Sequence, residues 1–473
     1  MISGCFNNLT TKRKVAVAMS GGVDSAVAMA LLLKDPSIKD IIGLHMINWD
    51  NRQDDDDDDG RRKSCYEEDL KDANAVCCHL SRTANITIPL HKVSFASEYW
   101  TNVFEPYVEG IMMGQTPNPD ISCNSMIKFG NMKSYAQKKL DANWIPTGHY
   151  ARLYYHHCNS NDVTATSIES SSRRTMEQEV EEITEKHDWL SKWGNESPLL
   201  LASVDKAKDQ TYFLAGVKGE SFRNVMFPLG ELYKNANPNN NNTTNSTVRQ
   251  FASNLNLPNA NKKDSMGICF VGKRRSFKSF VSQYVSSVQP PGCFIDIESG
   301  AIVGRHDGAI YYTIGQGARI SGASCKWYVI GRSNTNTNDI LVCPGTNHPA
   351  LYSDELTIKN TTMIWIGNDV DTMFPEPLQQ QQQQQQHKSN RMHVQCRTGH
   401  LQPLIDSEIC MMENKQNNSI TKIIHVQFHH PIRAITPGQM AAFYLGDICL
   451  GGGIIHDVGP SYYDLGLKVN SCN

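Results

Sequence analysis

The stretch "VAVAMSGGVDSAVAMALLL", Val15 to Leu33, sets two apolar runs on either side of a short polar turn. Val15 to Met19 is unbroken and apolar, the pattern of a strand buried on both faces in a parallel sheet. Ala26 to Leu33 is rich in Ala, Leu and Met, which favour helix. Between them Gly21 and Gly22 permit backbone angles that other residues resist and let a ligand approach the main chain. A strand–turn–helix unit aims backbone N–H groups and the positive end of a helix dipole at one point, which suits a phosphate. A glycine pair alone reads first as a plain strand-to-helix turn. The turn has neither the Gly-Lys-Ser/Thr of a Walker loop nor the spacing of a dinucleotide fingerprint.

The pattern continues outward. Ile41 to Ile47 reads as a strand, Glu67 to Leu80 as a helix, Ile86 to Val93 as a strand and Ala96 to Met113 as a helix. Met126, Phe129, Met132, Ala136 and Leu140 recur at helical spacing, and Trp144 to Thr147 begins another strand. Such alternation predicts a parallel α/β sheet with its ligand at the carboxyl end of the first strand. At 473 residues the chain should hold two or three domains. The expected divisions are an α/β domain over 1–217, a small, mostly helical and basic central region over 218–291, and a C-terminal β-barrel over 292–473, where short glycine-rich strands begin. Asn159 to Glu196, Asn235 to Thr247 and the eight glutamines Gln379 to Gln386 are polar and aperiodic, and read as solvated insertions.

Apolar content of 40% and charged content of 20% fit a globular protein, and no run of about 18 apolar residues suggests a membrane span. Fourteen cysteines without one C-x-x-C pair argue against a zinc ribbon or a thioredoxin-type motif, so no metal ligand set is expected. The net charge of −3 hides contrast: Asp54 to Asp59 is an acidic run, whereas Lys262 to Lys278 holds six basic residues against one acid. Only such a local basic patch would serve a phosphate backbone. The N-terminal stretch is short for a transit peptide.

Two cysteines stand in chemically suggestive settings. In "TPNPDISCNSMIKFG", Thr116 to Gly130, prolines lead to Cys123 just before a helix, where the dipole would lower its pKa; an ordinary buried cysteine is the alternative. In "KKDSMGICFVGKRRSFKSF", Lys262 to Phe280, Cys269 lies between glycines among Lys263, Lys273, Arg274 and Arg275; a small core residue in a short strand is the alternative. A loop that suits a phosphate, joined to two such cysteines, suggests sulfur chemistry.

"SGGVDS" after a strand resembles the PP-loop of the ATP pyrophosphatases, which adenylate an oxygen and release pyrophosphate. The ordered set "MSGGVDS", "TPNPDISCNSMIKFG", "TGHYARL", "KDQTYFLAGV", "DSMGICFVG", "HDGAIYYTIGQ" and "TPGQMAAFYLGDICLGGGII" resembles the tRNA-specific 2-thiouridylase family from about Val15 to Ile455. The resemblance implies ATP and Mg²⁺ bound by Ala18, Met19, Ser20, Gly21, Gly22, Val23, Asp24 and Ser25, with Met46 against the adenine and Gly148 in the same site. It implies that Asn118, Pro119 and Asp120 contact a wobble uridine of tRNAs for Lys, Glu or Gln, and that Lys208, Asp209, Gln210 and Arg397 meet the tRNA. Cys269 would carry a persulfide from a cysteine desulfurase or sulfur-relay protein, and Cys123 would free its sulfur by forming a disulfide. The sequence departs from the family pattern where Thr398 follows Arg397 and where "GQGARISG" is less basic. The resemblance further implies a monomer and a mitochondrial location. The alternative reading is a PP-loop ligase or amidotransferase that adenylates a small carboxylate.

Overall fold

The computed structural model describes residues 13–49, 65–155, 175–187, 197–236, 247–264, 278, 281–285, 290–367, 391–416 and 419–469. Three strands, β1 (Arg13–Ala18), β2 (Ile38–Ile47) and β3 (Leu90–Ser94), form a parallel sheet, with α1 (Val23–Leu32) and α2 (Cys65–Ala84) between them. Val15 bridges in parallel to Trp144, at the entry to β4 (Ile145–Pro146), and β4 pairs with β7 (Val225–Met226). The spatial order is therefore β3-β2-β1-β4-β7, and it reverses between β1 and β4. That reversal is a topological switch point, where doubly wound sheets bind ligands beyond their carboxyl ends.

The apolar run of β1 is needed on both sides. Val15 and Val17 pack against α1, α2 and Trp144, whereas Ala16 joins Ile42 and Leu44 against the helical layer that includes Tyr99, Ile127 and Ala136. That layer holds a continuous helical run from Pro119 to Leu140, wound with π-type turns over Cys123–Met132.

The chain then leaves the α/β layer as a hairpin of β5 (Ala151–Tyr154) and β6 (Leu199–Ala202). Residues 292–344 form a five-stranded sheet from β8 (Gly292–Asp296), β9 (Ile302–His306), β10 (Gly317–Ala318), β11 (Trp327–Arg332) and β12 (Ile340–Pro344), in the order β10-β11-β12-β8-β9. The last part contains β13 (Tyr352–Lys359), the short β14 (Ile364–Trp365), β15 (Arg391–Arg397), β16 (Ile405–Gln416), β17 (Ser419–Arg433), β18 (Met440–Leu445) and β19 (Ile448–Val458). Pairing of β13 with both β17 and β19 closes β13-β17-β16-β15-β18-β19 into a six-stranded antiparallel barrel. Closure removes the free edges that a sheet would otherwise expose. The hairpin pairs with β19 through Leu200 and Leu201, so the barrel is joined by main-chain hydrogen bonds to the segment that leaves the α/β layer.

One insertion is more ordered than its composition suggests. Met176–Lys186 is a helix, begun by a capping box in which Thr175 and Gln178 satisfy each other's backbone N–H groups. Its Val180 is buried in the barrel core, so the reading of all of Asn159 to Glu196 as solvated loop is corrected here. The acidic run, the glutamine run and most of Asn235 to Thr247 lie outside the described residues. Among the described residues no helix is long and apolar enough to cross a membrane.

Candidate active site

The turn after β1 is built from its own hydroxyls. Ser25 Oγ donates to the Gly22 carbonyl at 3.0 Å and accepts the Ser20 N–H at 3.3 Å, while Ser20 Oγ accepts the Gly22 N–H at 3.3 Å. Gly21 has φ +80°, and a Cβ there would sit 2.3 Å from the Asp69 carbonyl oxygen, so only glycine fits. No side chain caps α1, whose first-turn N–H groups are left for a ligand. Met19 is fixed from behind, because its carbonyl is 2.7 Å from Nδ1 of buried His45. Ala18 and Val23 complete the loop's ends, and Met46 lies near the carboxyl end of β2.

The loop after β4 presses on the same place. A Cβ on Gly148 would lie 2.9 Å from backbone atoms of Asp24 and Ser25. His149 follows, its Nδ1 2.7 Å from Thr147 Oγ1, and burial holds its imidazole well below the usual range. Tyr150 OH donates to Asp24 Oδ1 at 2.9 Å.

Lys234, Arg249 and Asn259, outside the quoted motifs, join Lys208, Lys262 and Asp264 in packing against this loop. Lys234, only 3% exposed, reaches both Asp24 oxygens at 2.8 and 2.7 Å and Asp264 at 2.9 Å. Lys208 and Arg249 also bind Asp264, at 3.0 and 2.8 Å. Burial would raise the Asp264 carboxyl, but hydrogen bonds from Lys234 and Lys208 outweigh it and hold it at about 2. Asn259 and Lys262 donate to the Gly21 carbonyl at 3.0 and 3.3 Å, and Lys262 also binds Asp69 and Asp72. The central region thus clasps the Ser20–Ser25 loop from outside.

Asn118, Pro119 and Asp120 form one helix start. Asn118 caps it by accepting the Asp120 N–H at 3.1 Å, Pro119 occupies the first helical position and Asp120 the first turn. Cys123 therefore sits more than a turn inside the helical run, not at its N-terminus. Burial pushes its thiol up despite the positive charge of Lys128, which corrects the expectation of a lowered pKa. Asn48 Nδ2 approaches its sulfur at 3.8 Å. Cys123 is a free thiol in the structure, and Cys269 lies outside the described residues, so the disulfide between them is not observed. Asp264, five residues before Cys269, is nonetheless tied through Lys234 to Asp24.

The other expected tRNA contacts fall at the junction with the barrel. Asp209 is 1% exposed and accepts the Ser203 N–H and the Thr211 hydroxyl; its carboxylate lies 3.4 Å from Arg397. Arg397, itself buried, lies over the Tyr444 ring at 4.6 Å. Gln210 accepts the Tyr150 N–H, and Lys208 is partly exposed in its pair with Asp264. Asp209 and Arg397 are thus internal, whereas Lys208 has surface to offer.

Comparison with known proteins accounts for this layout. Residues 13–273 match the tRNA methyl transferase HUP domain, 278–344 the tRNA methyl transferase PRC-barrel domain, and 374–455 the aminomethyltransferase beta-barrel domain. The chain is 35% identical over 467 residues to a mitochondrial tRNA-specific 2-thiouridylase 1 of Gallus gallus, covering 97% of this chain and 95% of that one. It is 36% identical to a tRNA-specific 2-thiouridylase of Geobacillus kaustophilus, covering 94% of this chain and 96% of that one. The Mus musculus mitochondrial protein of the same name is 36% identical, with 97% and 94% covered. On sequence, domain order and loop geometry together, the chain belongs to the tRNA-specific 2-thiouridylase family.

Proposed function

We propose that this enzyme is a tRNA-uridine 2-sulfurtransferase that uses ATP to thiolate the wobble uridine of tRNAs for Lys, Glu and Gln. The observation that carries the reading is the convergence on one switch point of the uncapped α1 N-terminus, Asp24, and the Lys234–Asp264 pair, whose Asp264 stands five residues before Cys269 in the chain. ATP phosphates would lie against the Ser20–Ser25 loop, where backbone N–H groups and the helix dipole favour negative charge. Mg²⁺, when bound with ATP, would neutralise charge on the pyrophosphate leaving group, and the partly exposed Asp24 carboxylate could hold it only by giving up part of its pairing with Lys234.

The uridine C2 oxygen attacks the ATP α-phosphorus and expels pyrophosphate, which turns a poor leaving group into AMP. Asn118, Pro119 and Asp120 would hold the base beside Cys123, and Lys208, Asp209, Gln210 and Arg397 would position the tRNA. Cys269 receives sulfane sulfur as a persulfide from a desulfurase or relay protein. Cys123, as thiolate, attacks the inner sulfur to form the Cys123–Cys269 disulfide, and the released hydrosulfide displaces AMP from C2. Burial keeps Cys123 a resting thiol, so it must lose its proton when substrate is in place. In this reading residues 1–217 form the ATP-binding catalytic domain, 218–291 the tRNA-binding region that carries Cys269, and 292–473 the C-terminal barrel, and the enzyme acts as a monomer. A mitochondrial location is favoured by the names of the animal relatives.

The test is thiolation of unmodified tRNA with ATP, Mg²⁺ and a persulfide donor, read as 2-thiouridine by mass spectrometry. Product from wild type and none from Cys123→Ser or Cys269→Ser is expected. Pyrophosphate release without thiouridine, unchanged in both variants, would favour the carboxylate-activating alternative.

A further inference from the structure

We propose that the outer face of the C-terminal barrel holds a divalent transition-metal site formed by His393, Glu408 and His429. The three residues lie on the adjacent strands β15, β16 and β17. His393 stands directly opposite Glu408, and Glu408 opposite Gln427. His429, two residues beyond Gln427, emerges on the same face, because side chains alternate along a strand. Val394, Ile409 and Phe428 take the other parity and fill the barrel core, so the trio faces outward.

The side chains converge. β15 and β17 are two strands apart, about 10 Å between backbones, yet the His393 and His429 ring centroids are 6.3 Å apart. Both rings lean over Glu408, and one donor atom from each residue lies within 4.8 Å of the others. Glu408 Oε2 is taken by Arg391 at 2.7 Å, while Oε1 lies 3.7 Å from His393 Nδ1. Arg391 therefore presents the carboxylate as a one-oxygen ligand. Tetrahedral coordination at about 2.0–2.1 Å would bring the donors to about 3.3 Å from one another. Modest rotation of these side chains covers the difference, and His393 is 72% exposed and free to rotate.

Two imidazole nitrogens and one carboxylate oxygen suit Zn²⁺, Co²⁺, Ni²⁺ or Cu²⁺, whereas Ca²⁺ and Mg²⁺ require oxygen-rich sets. Three protein ligands leave a position for water or for a group from another molecule. Bound metal would clip three strands together and add stability by mass action. None of these residues takes part in the ATP or sulfur chemistry, so the site is independent of it.

The test uses the full chain, titrated with Zn²⁺ by calorimetry and with Co²⁺ by absorption. Fourteen cysteines could also bind these ions, so the diagnostic signal is a Co²⁺ ligand-field spectrum without a thiolate charge-transfer band. His393→Ala, His429→Ala and Glu408→Gln should each weaken that binding by at least about tenfold, with unchanged circular dichroism and unchanged tRNA thiolation. Glu408→Gln keeps the side chain's shape and guards against a folding artefact. Wild-type affinity and spectrum in all three variants, or no thiolate-free binding in the wild type, would overturn the proposal.

Discussion

Lys234 holds both oxygens of Asp24 at 2.8 and 2.7 Å across 210 positions of sequence, while itself only 3% exposed. The carboxylate of the Ser20–Ser25 loop is therefore set by the central region and not by the loop alone. Replacing Lys234 with Met would leave Asp24 and Asp264 facing each other without their shared cation. Both carboxylates are about a third exposed and Asp264 keeps Lys208 and Arg249, so a loss of about 1–3 kcal/mol in unfolding free energy is expected. ATP-dependent pyrophosphate release should fall by about 100-fold in the folded fraction, because the loop's carboxylate loses its position. Denaturant titration and a pyrophosphate assay measure the two effects, and unchanged pyrophosphate release would contradict this role.

Gly21→Ala tests the loop's geometry. The φ of +80° costs a non-glycine residue about 1–2 kcal/mol, and the new methyl would meet the Asp69 carbonyl at 2.3 Å. The loop must shift to relieve that contact, so ATP binding by calorimetry should drop at least about tenfold, with a lower melting temperature.

Asp209 and Arg397 are expected to matter for folding as well as for tRNA. Each is buried, and Asp209 also serves the Ser203 N–H and the Thr211 hydroxyl. Arg397→Ala should cost about 3–5 kcal/mol in urea unfolding without any tRNA present. A variant of normal stability with weakened tRNA affinity would place Arg397 in direct contact instead.

Acid should loosen the same clasp. Asp264 titrates at about 2 in the native protein against an ordinary value of 3.8. A carboxylate with a depressed native pKa binds more protons when unfolded, so its stabilisation is complete above about pH 4 and is lost as pH falls toward 2. Asp264→Asn should therefore flatten the acid limb of a stability–pH curve between pH 4 and 2.

Alkylation separates the cysteines. Burial raises the Cys123 thiol, whereas Cys78 and Cys325 are exposed. Iodoacetamide at neutral pH, mapped by peptide mass spectrometry, should label Cys123 at least about tenfold more slowly than either. Comparable rates would mean that the helical layer around Cys123 opens readily without substrate.

Much of the framework was legible in the residues themselves. The β1 run is buried on both faces, so its unbroken apolar pattern had one physical meaning. The Asn-Pro-Asp sequence at 118–120 carries a cap, a first-turn proline and a first-turn acid, so the helix start was readable, although the reading set it several residues too late. The Thr175/Gln178 capping box was equally present in the polar insertion and was masked by its composition.

By itself, then, the sequence determined what depends on neighbours along the chain: strand and helix periods, the glycine turn and the order of motifs that marks the family. Only the tertiary structure decided what depends on approach in space. Burial, not helix position, governs Cys123; Lys234 meets Asp24, and β13 meets β19 to close the barrel. Desolvation and ion pairing act over a few ångströms, and no local period encodes which distant residues will come that close.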